Sequence, residues 1–137
     1  MPKLVVTDLD RTFWGLDCIA PAAHLEALAE LDAAGHTVLA ATGRRLRNVA
    51  RLFELNGLHL PVVAFDGSIG MDFTAMQRFH RIAFDPATLS NAMEALASLN
   101  IRPCLYIDDH GEPGGDVVVP ENPTTARSHL ELSLIHI

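Results

Sequence analysis

The sequence predicts an α/β fold in which helices cover both faces of a parallel sheet. Three short apolar segments alternate with two amphipathic segments over the first half of the chain. The apolar segments show no alternation of apolar and polar residues, which is typical of strands buried on both faces. The amphipathic segments have the period and the end signals of helices. This β-α-β-α-β order favours a parallel sheet.

Each of these elements has its own signal. Strands are predicted in the segments KLVV, HTVLAA and LPVVAF, which begin at residues 3, 36 and 60. The first helix is predicted between Pro21, which suits a first turn, and Gly35, which suits a helix end. The second helix is predicted from Arg44 to Gly57. Its apolar residues share one face: Leu46, Val49, Leu52 and Phe53.

The pattern changes after residue 67, and residues 68–84 show no clear period. A third helix is predicted from Asp85 and Pro86, an N-cap followed by a first-turn proline. Strands are predicted in RPCLYI and DVVVP, on either side of a turn-rich segment. We therefore expect two domains, an N-terminal part of a core over residues 1–80 and a partial α+β domain over residues 81–137. The segment from Thr124 onward has no turn or cap signal, which indicates a chain that stops inside a domain.

Composition and charge narrow the function classes. The 137 residues are 49 % hydrophobic, which predicts a folded core. The net charge is −7 and there is no basic block, so nucleic acid is a poor candidate partner. No segment approaches the roughly 20 apolar residues of a membrane span, and no signal peptide opens the chain. Cys18 and Cys104 are interpreted as reduced thiols. We expect a cytoplasmic protein with no membrane partner, and the sequence predicts no particular oligomeric state.

Polar residues follow each of the three predicted strands of the sheet. In an open parallel sheet, ligands bind outside the carboxyl ends of the strands. We therefore expect the residues at these three ends to lie near one site. In chain order they are Asp8 and Asp10, then Thr42, Gly43 and Arg44, then Asp66 and Gly67.

The aspartates are the first candidates for chemistry. Asp8 and Asp10 are two residues apart, so in an extended segment their side chains point the same way. Two close anions favour different protonation states, which suits one carboxylate for attack and the other for proton transfer. Their oxygens also suit Mg²⁺. A solvated turn is the alternative, and for an isolated pair of this spacing it is the favoured one.

The other strand ends are less specific. Thr42, Gly43 and Arg44 can bind an anion through a hydroxyl, backbone N–H groups and a guanidinium, although Thr42 as a simple helix N-cap is an equal alternative. Asp66 and Gly67 favour a turn, with contact to a substrate as the second interpretation. The histidines lack zinc-binding spacing, and the segment Asp108–His110 is interpreted as a solvated turn rather than a metal cluster.

Together these segments resemble the haloacid dehalogenase (HAD)-like phosphatase superfamily, in its Cof-type sugar-phosphatase branch. The resemblance lies in DLDRT at residues 8–12, ATGR at residues 41–44 and DG at residues 66–67. It implies a Rossmann-like core with an α+β cap domain inserted after the third strand. It further implies that the chain is an enzyme, a Mg²⁺-dependent phosphatase acting on a small phosphorylated metabolite.

The resemblance also implies a role for each residue. Asp8 would be the nucleophile that forms an aspartyl-phosphate, and Asp10 would protonate the leaving alcohol and then activate water. Asp8 and the backbone carbonyl of Asp10 would bind Mg²⁺. Thr42 would hold the phosphoryl group, with Gly43 and Arg44 beside it.

Three features depart from the pattern of that superfamily. Arg11 stands where glycine is usual, and Asp66 stands where asparagine is usual. The later lysine and acidic motif are also missing, since Lys3 is the only lysine. We therefore expect a C-terminally truncated chain with half of the site, weak Mg²⁺ binding and low turnover. The alternatives are a receiver-like phospho-acceptor module and a non-catalytic remnant of the fold.

Overall fold

The computed structural model describes residues 1–108 and 115–118 of the chain. It divides into two compact units, Met1–Ile82 and a second unit that begins at Ala83. The division follows the last strand of the first unit. The assignment of residues 1–80 to a core and 81–137 to a cap remains a proposal.

The first unit is built on a five-stranded sheet. Its elements are β1 (Leu4–Asp8), α1 (Ala22–Ala33), β2 (Thr37–Ala41), α2 (Leu46–Asn56), β3 (Pro61–Ala64), β4 (Ile69–Asp72) and β5 (Gln77–Arg81). The strand order is β1-β2-β3-β4-β5. The first three strands are parallel to one another, whereas β4 and β5 are antiparallel to their neighbours. The predicted α/β class is confirmed, and an antiparallel hairpin extends its parallel sheet.

The core of the first unit lies on one face of the sheet. Both helices pack on the same face, since residues of α2 belong to the one core cluster that also contains residues of the sheet, and residues of α1 pack against that cluster. There Ala40 and Val62 are fully buried. On the opposite face Leu4 and Val6 remain 63 % and 55 % exposed. Within the described part of this unit the helices therefore cover one face of the parallel strands, and not both faces as the sequence predicted.

Helix α2 supplies much of this core. Its four predicted inward residues, Leu46, Val49, Leu52 and Phe53, are all buried. The helix ends at Gly57, whose φ of 63° is a left-handed conformation that glycine adopts without steric strain. The N–H of Leu58 then donates to the carbonyl of Phe53 at 2.8 Å, which closes the helix end. By contrast, α1 buries no residue fully, although Leu25 and Leu28 pack against the core.

The hairpin of β4 and β5 lies in the segment for which the sequence predicted no period. Gly70 explains part of that weak signal, because a β-carbon there would collide with the ring of Phe79. The pairing of the two strands also shifts register between Gly70 and Met71, which breaks the two-residue alternation. Asp72 makes the turn by accepting the N–H groups of Thr74 and Ala75.

The second unit contains α3 (Pro86–Ser98), β6 (Leu105–Asp108) and β7 (Gly115–Val118), the last two paired antiparallel. The predicted N-cap of α3 is confirmed, since the Asp85 carboxylate accepts the N–H groups of Ala87 and Thr88 at 3.0 Å. Asp109, His110 and the segment from Thr124 lie outside the described residues. Across the residues that are described, none of the helices has the length and hydropathy to cross a membrane.

Candidate active site

The loop after β1 turns sharply around the buried Leu9. The carbonyl of Leu9 accepts the N–H groups of Phe13 at 3.0 Å and Trp14 at 3.1 Å. Within this turn Arg11 has a φ of 60°. A left-handed conformation costs a residue with a β-carbon about 1–2 kcal/mol. Arg11 therefore occupies a backbone position that suits glycine.

The side chain of Asp8 stands exposed at the end of β1. The hydroxyl of Thr12 donates to its Oδ2 atom at 3.0 Å. This bond comes from the same loop, four residues further along the chain. One oxygen of the carboxylate is thus oriented by the loop, while the group as a whole is open to solvent.

Asp10 has a different environment, because a guanidinium donates hydrogen bonds to both of its carboxylate oxygens. Arg44 donates from Nε to Oδ2 at 2.7 Å and from Nη2 to Oδ1 at 2.6 Å. The hydrogen bond with Asp10 raises the pKa of Arg44, although partial burial acts in the opposite direction. Arg44 follows β2 and Asp10 follows β1, so this ion pair joins two of the predicted strand ends.

Trp14 also contacts Asp10, and the sequence did not lead us to expect this contact. Its indole Nε1 donates to Asp10 Oδ1 at 3.2 Å, and the side chain is only 2 % exposed. A buried indole N–H needs a hydrogen-bond acceptor. A tryptophan four residues after an aspartate is therefore a pattern in the sequence that could have indicated this contact. Arg44 also donates from Nη2 to the sulfur of the buried Cys18 at 3.4 Å.

Thr42 lies at the end of β2 and is buried. Its N–H donates to the carbonyl of Val63 at 2.9 Å, and its hydroxyl oxygen accepts the N–H of Arg44 at 3.1 Å. The N-cap of α2 is Arg45, and no side chain caps it. The alternative in which Thr42 caps the helix is therefore wrong, since the helix begins later than the sequence suggested.

Asp66 and Gly67 belong to a single 3₁₀ turn after β3, in which Asp66 has a φ of 51°. The Oδ1 atom of Asp66 lies 2.6 Å from the position that a β-carbon on Gly43 would occupy. The N–H of Phe65 donates to the carbonyl of Arg44 at 3.1 Å. The second and third predicted strand ends are thus in contact, and glycine at position 43 permits the approach.

The donor set at the end of β1 fits Mg²⁺ in part. Within residues 1–108 and 115–118, no group of three or more His, Cys, Asp and Glu side chains lies close enough together to hold a metal ion. Mg²⁺ is usually held by one or two carboxylates together with waters and substrate phosphates, so it needs no such group. The exposed Asp8 carboxylate is a suitable ligand. The Asp10 carboxylate is engaged by Arg44 and Trp14, which leaves its backbone carbonyl as the fitting donor.

Solved structures share this fold. A haloacid dehalogenase-like hydrolase from B. subtilis has a TM-score of 0.72 at 22 % identity, covering 96 % of this chain and 42 % of that one. BT1666 from Bacteroides thetaiotaomicron, described among the phosphatases of the HAD superfamily, gives 0.70 at 15 %, with 99 % and 47 % covered. The HAD subclass IIB sugar phosphatase BT4131 gives 0.57 at 23 %, with 80 % and 42 % covered. The chain spans less than half the length of each.

These likenesses define an α/β fold of the HAD-like class. A search of curated proteins found no match. The family model described as haloacid dehalogenase-like hydrolase matches residues 5–112, which is most of the sequence. The chain belongs to the haloacid dehalogenase-like hydrolase family. These comparisons do not favour the receiver-like alternative.

Proposed function

We propose that the protein is a Mg²⁺-dependent phosphatase that hydrolyses a small phosphorylated metabolite of the sugar phosphate class through an aspartyl-phosphate. The observation that carries this proposal is the contrast between Asp8 and Asp10. One carboxylate is exposed and fixed by a hydroxyl, and the other is held by a guanidinium and an indole. Family membership and the similarity to a sugar phosphatase support the same reaction class.

Asp8 is the proposed nucleophile. Thr12 engages its Oδ2 atom, so Oδ1 is assigned to the attack on phosphorus. In the first step a bond forms between this oxygen and phosphorus, and the bond from phosphorus to the alcohol oxygen breaks. The leaving oxygen takes a proton from Asp10, which then becomes a carboxylate.

Asp10 acts again in the second step. A water attacks the phosphorus of the aspartyl-phosphate, and Asp10 removes its proton as the bond to Asp8 breaks. Inorganic phosphate and the free Asp8 carboxylate result, and Asp10 again holds its proton. The ion pair with Arg44 stabilises Asp10 in its ionised form between the two steps.

The phosphoryl group is proposed to bind at the end of β2. Thr42 offers a hydroxyl, Gly43 a backbone that a ligand can approach closely, and Arg44 a positive charge. Asp66 and Gly67 lie beside Gly43, where they would contact the substrate. Asp8 and the backbone carbonyl of Asp10 would hold Mg²⁺, which would supply positive charge that offsets the repulsion between the phosphate and Asp8.

The test measures phosphate release by the purified full chain from a panel of sugar phosphates, with Mg²⁺ and with EDTA. We expect slow, Mg²⁺-dependent turnover that Asp8→Asn abolishes. Asp17→Asn is the matched control, because Asp17 is an exposed carboxylate whose Oδ1 accepts the N–H of Ile19. Absence of both hydrolysis and Mg²⁺ binding would contradict the proposal and favour a non-catalytic remnant. A cytoplasmic location and a small metabolite as partner belong to the same proposal.

A further inference from the structure

We infer that Trp14 and Arg44 form a clamp that fixes the Asp10 carboxylate in one orientation, which makes Trp14 a positioning residue of the site. Its catalytic meaning rests on the proposed function, in which Asp10 carries the proton. The geometry of the clamp is independent of that function.

Three N–H donors from two separate segments define the clamp. The Nε and Nη2 atoms of Arg44 contact both oxygens of Asp10, at 2.7 and 2.6 Å. This two-point contact sets the plane of the carboxylate. The indole of Trp14 adds a second donor to Oδ1 at 3.2 Å. Rotation of the carboxylate would break bonds to both partners, so it is opposed from two directions.

Core packing holds the indole in place. Trp14 is 2 % exposed, and its ring meets that of Phe13 edge to face, with centroids 6.0 Å apart. Its backbone N–H donates to the carbonyl of Leu9, which is itself fully buried. The position of the donor is therefore set by the hydrophobic core rather than by a mobile surface side chain.

Further hydrogen bonds hold Arg44 in place. Its Nη2 atom also donates to the sulfur of Cys18, and the carbonyl of Cys18 accepts a bond from Asn56 Nδ2 at 3.0 Å. The backbone N–H of Arg44 donates to Thr42. Arg44 is thus fixed at its backbone and at its tip, and its side chain is only 19 % exposed.

The clamp changes the role expected for Arg44. The edge of the guanidinium that carries Nε and Nη2 is occupied by Asp10, so this edge positions a carboxylate, and Arg44 contributes to phosphate binding through its positive charge. A misplacement of about 1 Å can cost about a hundredfold in rate, so loss of one of the three donors is expected to cost about tenfold.

The first experiment observes the clamp directly in the full chain. Trp14 is the only tryptophan, so the ¹H–¹⁵N spectrum contains a single indole signal. We expect Asp10→Ala to move this signal upfield and to speed its exchange with solvent. Asp10→Asn, which keeps the size of the side chain, should move it in the same direction by less. Asp17→Asn should leave it in place. If the indole signal neither shifts nor exchanges faster in either Asp10 variant, the inference of a clamp is wrong.

The second experiment asks whether the clamp serves proton transfer. Trp14→Phe keeps an aromatic ring and removes the donor. A sugar phosphate has a poor alkoxide leaving group that needs the proton of Asp10, whereas p-nitrophenyl phosphate releases a stable phenolate that does not. We expect kcat/KM to fall about tenfold for the sugar phosphate and less than threefold for p-nitrophenyl phosphate.

Phe53→Leu is the matched control for lost core packing, because Phe53 is buried in the same core cluster as Trp14 and its side chain has no hydrogen-bond donor. It should affect both substrates equally. An equal loss for both substrates in Trp14→Phe would assign Trp14 a structural role only and overturn its role as a positioning residue. If the chain turns over neither substrate and binds no Mg²⁺, the proposed function fails, and the indole signal alone decides whether the clamp exists.

Discussion

Arg11→Gly is expected to stabilise the protein, which is unusual for a substitution that removes a side chain. Arg11 is exposed and has a φ of 60°. The left-handed conformation costs a residue with a β-carbon about 1–2 kcal/mol, and glycine avoids this cost. Glycine also gives the unfolded chain more conformational freedom, which lowers the free energy of unfolding by about 0.4–1 kcal/mol. The net gain in the free energy of unfolding is therefore about 0.5–1 kcal/mol.

For a unit the size of Met1–Ile82, this gain corresponds to a rise in Tm of about 3–6 °C. The assay is thermal unfolding followed by circular dichroism at 222 nm. Arg11→Ala is the control, because it removes the side chain beyond the β-carbon and keeps the β-carbon itself. A Tm for Arg11→Gly no higher than that of Arg11→Ala would refute the reasoning, since the gain must come from the backbone.

Three further predictions test other parts of the fold. The hydrogen bond from Thr88 lowers the pKa of Asp85, so the stability it gives to α3 is present above the ordinary pKa of 3.8 and is lost as the pH falls through the lowered value. Circular dichroism between pH 2 and 6 should show this loss in the wild type and not in Asp85→Asn. Gly70→Ala should cost about 1–3 kcal/mol in urea unfolding, and adding Phe79→Ala should restore part of it. Asn56→Ala should also cost about 1–3 kcal/mol, because Asn56 bonds the backbone at residues 18, 20 and 52.

The sequence predicted the elements that have strong local signals. Helix α2 has an apolar face of four residues and a terminal glycine, and both are present in the structure. The N-cap of α3 was predicted from Asp85 and Pro86 for the same reason. Such signals depend on residues close together in the chain, so one sequence is enough to find them.

The hairpin and the clamp were not predicted, because both depend on contacts between distant residues. The signal of β4 and β5 is weakened by Gly70 and by the change of register beside it. The pairing of Asp10 with Arg44 spans 34 positions, and no local pattern distinguishes an arginine that holds an aspartate from one that holds phosphate. The sequence could place both residues at strand ends, but it could not say which partner each would choose.

The strain at Arg11 and the clamp at Asp10 belong to one turn. The chain must reverse within a few residues so that the indole of Trp14 can reach Asp10. In this reversal the carbonyl of Leu9 accepts the backbone N–H groups of Phe13 and Trp14. A left-handed residue at position 11 accompanies this reversal. The burial of Trp14 and the bonds to Leu9 and Asp10 offset the cost at Arg11, so this chain retains the turn without the usual glycine. Strained residues persist where the surrounding contacts hold them in place, and here those contacts are the ones that orient Asp10.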